Sequence, residues 1–287
     1  MEVFPVTPFG YCKGVLQAIV LAKKAKQENP DIPVYLLGML VHNEETIEDL
    51  SRKGIAFLDE KDGPFEELIQ RIPDGSAIVF SAHGHDESLD QIAKNKHLKI
   101  YDATCSFVKE NLVEARKVGE SSQIIYLGVK GHLESDAFIA NYPNALFYDV
   151  HQGTLEGDVS KKHNPYIISQ TTLSDSEIKE AHEKLIARFG SIKIGKERCR
   201  ATSLRQEALR KLPKDVDLVV VLGSKRSNNS RKLYEIALEE GKEAILALNL
   251  EELRQFDLTS KRKIALCSGA STAPETFQSC LEYLRRL

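Results

Sequence analysis

The stretch LVVVLGSKRSNNS, residues 218–230, sets the terms on which the rest of the chain is read. Five consecutive apolar residues ending at Gly223 predict a strand buried on both faces, and the hydroxyl- and amide-rich run after the glycine predicts a turn into a helix. Two other segments have the same form. VYLLGMLVHN (34–43) reaches Gly38 and IIYLGVKGHLES (124–135) reaches Gly128. Four positions past each glycine stands a polar residue: His42, His132 and Ser227. A second set of apolar runs follows at a steady interval. AIVFSAHG, YIISQTT and KIALCSGAS place Ser81, Ser169 and Ser268 at 43, 41 and 45 residues after Gly38, Gly128 and Gly223. Working back from the same glycines, Cys12, Cys105 and Cys199 lie 26, 23 and 24 residues earlier, in PFGYCKGV, YDATCSFV and KERCRAT. Three landmarks recurring in one order define a threefold internal repeat.

Within each repeat the pattern is β-α-β-α-β-(α)-β. Helical spacing of apolar residues follows each cysteine: Val15, Ile19, Ala22; Val108, Leu112, Ala115; Leu204, Ala208, Leu212. Second helices are expected at EETIEDLSRKG, ESDAFIANY and SRKLYEIALEEG, and short strands at IAFL, ALFY and AILAL. Continuous apolar strands alternating with helices predict an α/β fold with mostly parallel sheets covered on both faces. The expected units are 1–98, 99–193 and 194–287, packed as one body, with the N-terminal strand free to pair with a neighbouring unit. Ligands of such sheets bind beyond the carboxyl ends of the strands, where all three landmark series fall.

Composition removes several classes. Lys plus Arg number 39 and Asp plus Glu 42, a net charge of −3, which gives no bias toward nucleic acid or an anionic membrane. No apolar run approaches the ~20 residues of a membrane span, and the N-terminus lacks a secretory pattern. Five scattered cysteines do not form a secreted disulfide framework, so a cytoplasmic protein with reduced thiols is expected. Three thiolates at strand-to-helix junctions, without a CxxC pair, suit an iron–sulfur cluster with one iron not held by protein, or a zinc site with an open position. Cys267 and Cys280 belong to no series and are read as structural. His42, His83, His132, Thr171, Ser227, Asn229 and Ser271 form a set of uncharged donors suited to phosphate oxygens. Lys225, Arg226, Arg231 and Lys232 are read as a solvated basic turn, and His85, His97, His151, His163 and His182 as surface histidines. Asp102 is read as a helix cap. Glu134, two residues after His132, is the one carboxylate at the predicted site and a plausible proton donor.

GYCKGV, LVHNEE, SAHG, DATC, GHLE, QTTLS, ATSLRQEA, GSKRSNNS and SGAS, in this order through the whole chain, resemble the IspH (LytB) family of 4-hydroxy-3-methylbut-2-enyl diphosphate reductases. The resemblance implies three pseudo-equivalent α/β units in a trefoil around a central cluster. The implied cofactor is a [4Fe-4S] cluster on Cys12, Cys105 and Cys199 with one open iron, isolable as [3Fe-4S]. It implies diphosphate ligands at His42, His83, His132, Ser227, Asn229 and Ser271, with Asn228 standing where the family has a serine. Glu134, Thr171 and His132 are the implied catalytic residues. The implied reaction is a two-electron, two-proton reductive dehydroxylation giving isopentenyl and dimethylallyl diphosphate, the last step of the methylerythritol phosphate route. A ferredoxin or flavodoxin electron donor is implied, in a monomer or homodimer that binds neither nucleic acid nor membrane. The chain departs from the family at Ser106, Arg198, Arg200, Leu204 and Ser135–Asp136–Ala137. A paralogue acting on another allylic diphosphate-like substrate, an iron–sulfur sensor and a zinc hydrolase are the competing readings.

Overall fold

A computed structural model describes residues 1–159, 165–195 and 199–287. His163 and Arg198 lie outside the described residues. In chain order the elements are β1 (Glu2–Pro5), α1 (Lys13–Glu28), β2 (Val34–Leu37), α2 (Glu44–Arg52), β3 (Ile55–Leu58), α3 (Phe65–Arg71), β4 (Ala77–Phe80), α4 (Ser88–Asn95) and β5 (Lys99–Asp102). Then follow α5 (Ser106–Val118), β6 (Gln123–Gly128), α6 (Leu133–Asn141), β7 (Leu146–Asp149), β8 (Thr154–Glu156), β9 (Pro165–Ser169) and α7 (Asp175–Phe189). The chain ends with β10 (Lys193–Ile194), α8 (Ala201–Arg210), β11 (Leu218–Leu222), α9 (Asn228–Glu239), β12 (Glu243–Ala247), α10 (Leu250–Leu253), β13 (Lys263–Ser268) and α11 (Pro274–Arg286).

Three sheets result, in the orders β3-β2-β4-β5, β8-β7-β6-β9-β10 and β12-β11-β13-β1. Every pairing is parallel except β7 with β8. The glycine-ended strands β2, β6 and β11 hold the same place, flanked on one side by β3, β7 and β12 and on the other by the serine-ended strands β4, β9 and β13. Beyond those serine-ended strands lie β5, β10 and β1, each leading into one of the cysteines. Each pre-cysteine strand therefore joins a sheet whose central strands lie in another repeat. The added hairpin strand β8 escapes the sequence pattern because its three residues, Thr154, Leu155 and Glu156, carry no apolar run and are largely exposed.

The chain divides into two compact units. The first comprises Met1–Leu16, Val41–Lys53 and Arg200–Leu287 and contains the sheet of β1, β11, β12 and β13. The LVVVL run is apolar throughout because β11 is covered on both faces. Leu218, Val220 and Leu222 pack with Leu253, Phe277, Cys280 and Leu284 of α10 and α11. Val219 and Val221 pack with Leu209, Leu233 and Ile236 of α8 and α9. Helix α8 departs from the expected apolar stripe. Leu204 is 42% exposed, whereas Thr202, Ser203, Arg205 and Gln206 are buried. The inward face is polar because Arg205 crosses the interior to donate from Nη2 to the Gly10 carbonyl (2.7 Å).

The second unit comprises Gln17–Leu40 and Gly54–Cys199 and contains the other two sheets. Ile78 and Phe80 of β4 pack with Leu68 and Ile69 of α3 and Leu89 and Ala93 of α4. Ile125 and Leu127 of β6 face Ala181 and Leu185 of α7, while Ile124 and Tyr126 face Ala115 of α5 and Phe138 of α6. Burial of each such aliphatic or aromatic side chain contributes roughly 1.5–3 kcal/mol, which holds the strand ends rigid beneath the loops that carry the polar residues. Among the described residues no helix is long and apolar enough to cross a membrane.

Candidate active site

The first unit assembles the hydroxyl and amide half of the expected site. Ser227 caps α9, its Oγ accepting from the Ser230 N–H (3.3 Å), and Asn228 and Asn229 occupy the first turn, each 3% exposed. Both amide atoms of Asn229 are buried without a hydrogen-bond partner, a state that costs a few kcal/mol unless a ligand or water supplies the bonds. Ser230 Oγ sits between two glycines: a Cβ built on Gly223 or Gly269 would approach it to 2.2 or 2.1 Å. Glycine is therefore required at the ends of β11 and β13 for α9 to approach the sheet. Asn228 accepts from Arg231 Nη2 at 3.5 Å, while Lys232 pairs with Glu235 at 2.7 Å.

The His42 position differs from its repeat-mates by one residue. His132 and Ser227 cap their helices, but Asn43 caps α2, accepting from the Thr46 N–H at 2.9 Å. The His42 carbonyl accepts from Ser271 Oγ (3.0 Å), which ties two of the expected ligands together. The Cys12 loop is fixed by the end of β13: the Cys12 N–H donates to the Ala270 carbonyl (2.9 Å) and the Gly10 N–H to Ser268 Oγ (2.9 Å). Helix α1 begins at the next residue, and the Val15 N–H points at Cys12 Sγ (3.5 Å).

The second unit gathers the acid. His132 caps α6 with Nδ1 accepting from the Glu134 N–H (3.1 Å), which leaves Nε2 as the protonated nitrogen of the neutral ring. The His83 and His132 rings meet edge to face, with centroids 5.8 Å apart. Burial pushes the His83 imidazole down to about 4, against a backbone hydrogen bond with Met39, so it is neutral at pH 7. The Glu134 side chain, 2% exposed, receives Thr171 twice: the backbone N–H donates to Oε1 (2.8 Å) and Oγ1 to Oε2 (2.7 Å). The Tyr126 hydroxyl adds a longer contact to Oε1 at 3.4 Å. Burial outweighs these bonds and raises the Glu134 carboxyl from 4.5 to about 7. A carboxyl poised near neutrality, held by donors on both oxygens, is able to give and take a proton at physiological pH.

Gln170 and Tyr126 carry no signal of a site role in the repeat pattern. Gln170 Oε1 accepts from the Val129 N–H (2.9 Å) and Ser135 Oγ (3.0 Å), and Nε2 donates to Thr172 Oγ1 (2.7 Å). It thereby binds the end of β9 to β6 and α6, fixing Thr171 against Glu134. The one available cue lies in QTT, where a polar run directly follows an apolar strand. Tyr126 reads in sequence as one more apolar strand residue. Asp102 does not cap α5: the N-cap is Cys105, and Asp102 instead accepts from the Thr104 N–H (2.9 Å) and pairs with Lys109 (2.6 Å). The short loop puts Cys105, not Asp102, at the helix boundary. His85 is no surface histidine. Its side chain is 7% exposed, stacks on Phe80 and bonds Asp90 at 3.2 Å.

The cysteines fall into two classes. Cys12, Cys105 and Cys199 are partly exposed, each within two residues of a helix start. Cys267 and Cys280 are buried, and burial pushes their thiols up to about 12. The first three have the access and helix-end setting of thiolate ligands, and the last two do not. Among the described residues no three His, Cys, Asp or Glu side chains are placed around a single ion. In chemistry, partly exposed thiols at helix starts are a donor set that an iron–sulfur group takes.

The model of the LytB protein family matches residues 3–285. The chain belongs to the LytB family. LytB relatives named 4-hydroxy-3-methylbut-2-enyl diphosphate reductase include that of Symbiobacterium thermophilum, 35% identical over 290 residues, covering 100% of this chain and 97% of the relative. The protein of the same name from Malacoplasma penetrans is 32% identical, covering 95% and 93%. Among solved structures, the E-1-hydroxy-2-methyl-but-2-enyl-4-diphosphate reductase of Plasmodium falciparum superposes with a TM-score of 0.85 at 30% identity, over 99% of this chain and 87% of that one. A further structure, (E)-4-hydroxy-3-methyl-but-2-enyl diphosphate reductase, matches in fold with a TM-score of 0.69 at 24% identity, over 100% and 99% of the two chains. The mixed α/β fold with three parallel-dominated sheets is thus the LytB fold.

Proposed function

We propose that this chain reduces (E)-4-hydroxy-3-methylbut-2-enyl diphosphate to isopentenyl and dimethylallyl diphosphate, the terminal step of the non-mevalonate pathway. The observation that carries the reading is Glu134, a buried carboxyl poised near pH 7 on Thr171 in a chain of the LytB family. Cys12, Cys105 and Cys199 would hold a [4Fe-4S] cluster. When bound, that cluster supplies electrons and an iron open to the substrate's hydroxyl oxygen.

The chain's own residues bind, orient and protonate. His42, His83, His132, Ser227, Asn228, Asn229 and Ser271 take the diphosphate. The orphaned amide of Asn229 and the N–H groups of the first turn of α9 supply donors for phosphate oxygens. Burial keeps His83 neutral, with its N–H on the Met39 backbone, so it brings no ion's desolvation cost to the site. Anchoring the remote diphosphate lets binding energy orient the reacting carbon. Glu134, its carboxyl fixed by Thr171, gives its proton to the departing hydroxyl, which leaves as water. A ferredoxin or flavodoxin is the class of electron donor expected.

Anaerobically reconstituted protein should show thiolate-to-iron charge-transfer absorption and turn over the substrate with a low-potential reductant. A protein that holds an intact cluster and gives no turnover would sink the reductase reading in favour of a sensor or a paralogue.

A further inference from the structure

The proposed reductase reaction consumes two protons and two electrons for each allylic alcohol converted to alkene and water, and the demand for a proton supply rests on that reaction. Once Glu134 has given its proton away, a carboxylate remains at 2% exposure with Thr171 bonded to both oxygens. It must be reprotonated before the next cycle, and Thr171, a donor to it already, brings no extra proton.

A cavity of about 300 Å³ in the second unit reaches this carboxyl. Glu134 and Tyr126, both buried, line its inner end, and the exposed Lys109 and Arg116 line its outer end. Neither Thr171 nor His132 lines it, so the cavity meets Glu134 from a side other than the one that Thr171 holds. Thr104 and Asn111 place polar side chains along the wall. At about 30 Å³ per molecule in the liquid, the volume suits roughly ten waters, with hydroxyl, amide and carboxyl groups as partners. Both cations at the mouth are compensated, Lys109 by Asp102 (2.6 Å) and Arg116 by Glu87 (2.7 Å), which removes a net positive barrier to an incoming proton.

We propose that this cavity is the proton inlet of Glu134, a file of water from the Lys109–Arg116 surface to the carboxylate. In the outward half-cycle the Glu134 O–H bond breaks and the proton joins the departing hydroxyl, forming water. In the return half-cycle hydronium at the inner end gives its proton to the Glu134 carboxylate and becomes water, the deficit passing along the file to solvent. Electrons come from the external low-potential donor and do not pass through this route. Tyr126 positions the carboxyl at the inner end through its hydroxyl, 3.4 Å from Oε1.

Filling the cavity tests the assignment. Leu112 and Val108, on the α5 face of the wall, are replaced separately, Leu112→Trp and Val108→Phe. Reconstituted variants should keep the cluster absorption and a KM within about twofold, while kcat falls roughly tenfold, an added barrier of about 1.4 kcal/mol, with a larger solvent deuterium isotope effect. A second readout needs neither cluster nor turnover. In protein saturated with inorganic pyrophosphate, the infrared carboxylic-acid band that disappears in Glu134→Gln should exchange hydrogen for deuterium more slowly in Leu112→Trp than in the wild type. Unchanged kcat and unchanged exchange in either folded variant would overturn the inlet. Should neither variant fold, Leu112→Ala, which widens the passage, must exchange the band at least as fast as wild type; slower exchange would overturn it. A wild type that exchanges normally yet never turns over would instead count against the reductase reading alone.

Discussion

Replacing Glu134 with glutamine should remove activity and at the same time stabilise the protein at alkaline pH. Burial raises the folded-state carboxyl from 4.5 to about 7. The folded protein therefore binds this proton more tightly than the unfolded chain, and stability falls as pH rises from about 4.5 to about 7, with the full penalty present above that. A separation of about 2.5 pH units at 1.36 kcal/mol each amounts to about 3 kcal/mol at pH 8.5, and to under about 1 kcal/mol at pH 5. Glutamine has the same shape and never ionises. Its oxygen accepts from the Thr171 N–H, and its NH₂ group donates to Thr171 Oγ1, whose hydroxyl is free to rotate. The penalty is thus lifted without leaving either Thr171 group unsatisfied. Urea unfolding of cluster-free protein under anaerobic conditions, followed by circular dichroism at pH 5 and pH 8.5, measures the difference. The glutamine variant should gain about 2–3 kcal/mol over wild type at pH 8.5 and little at pH 5, while turnover falls by roughly 10²-fold or more. An equal stability difference at both pH values would refute the claim that burial has raised this carboxyl. Wild-type turnover in the variant would refute its role as the acid.

Thr171→Val removes the shorter bond to Glu134 (2.7 Å) and should carry the alkaline limb of the kcat profile upward by about one to two pH units, since a lost bond to the carboxylate is worth roughly 1.5–3 kcal/mol. A limb that stays near pH 7 would separate Thr171 from the titrating group. Gln170→Leu strips three hydrogen bonds from a buried side chain and should cost about 2–4 kcal/mol in thermal or urea unfolding, with kcat reduced more than KM is raised, as for a positioning residue. Gly269→Ala drives a methyl to 2.1 Å from Ser230 Oγ and should destabilise by about 1–3 kcal/mol and raise KM. Ser230→Gly in the same chain should recover much of the loss, and strict additivity in that double-mutant cycle would rule out the clash as its cause.

The sheet strands are legible in the sequence because β11 and its counterparts are buried on both faces and read as unbroken apolar runs. So are the helices after them, since Asn43, His132 and Ser227 begin each at nearly the same distance from a glycine. Helix α8 is legible in extent but not in orientation. Its inward face carries Arg205 and Gln206 to satisfy interior groups, and an apolar stripe is no guide to such a face. Glu134 stands out from its place beside His132, but nothing in a sequence states that a carboxyl is 2% exposed or that its oxygens meet Thr171. Gln170 acts between segments some forty positions apart and leaves no local pattern. Asp102 misleads because carboxylates before helices commonly cap them, whereas the N-cap here, Cys105, lies three positions further on.

The pairing of β1 with β13 bears on how the protein comes into being. The second unit is encoded mostly by 54–199, and its strands find their partners as that stretch is made. The Cys12 loop is anchored by Ser268 and Ala270, more than 250 positions later, and by Arg205 through the Gly10 carbonyl. During vectorial synthesis, at about 5–20 residues per second, β1 and its cysteine wait for roughly 10–60 seconds without their native sheet. Of the three repeat cysteines, Cys12 precedes the others in the chain, yet its loop is tied to β13, the last strand among the described residues. A nascent chain stalled before β13 would carry Cys12 without the sheet that fixes its loop.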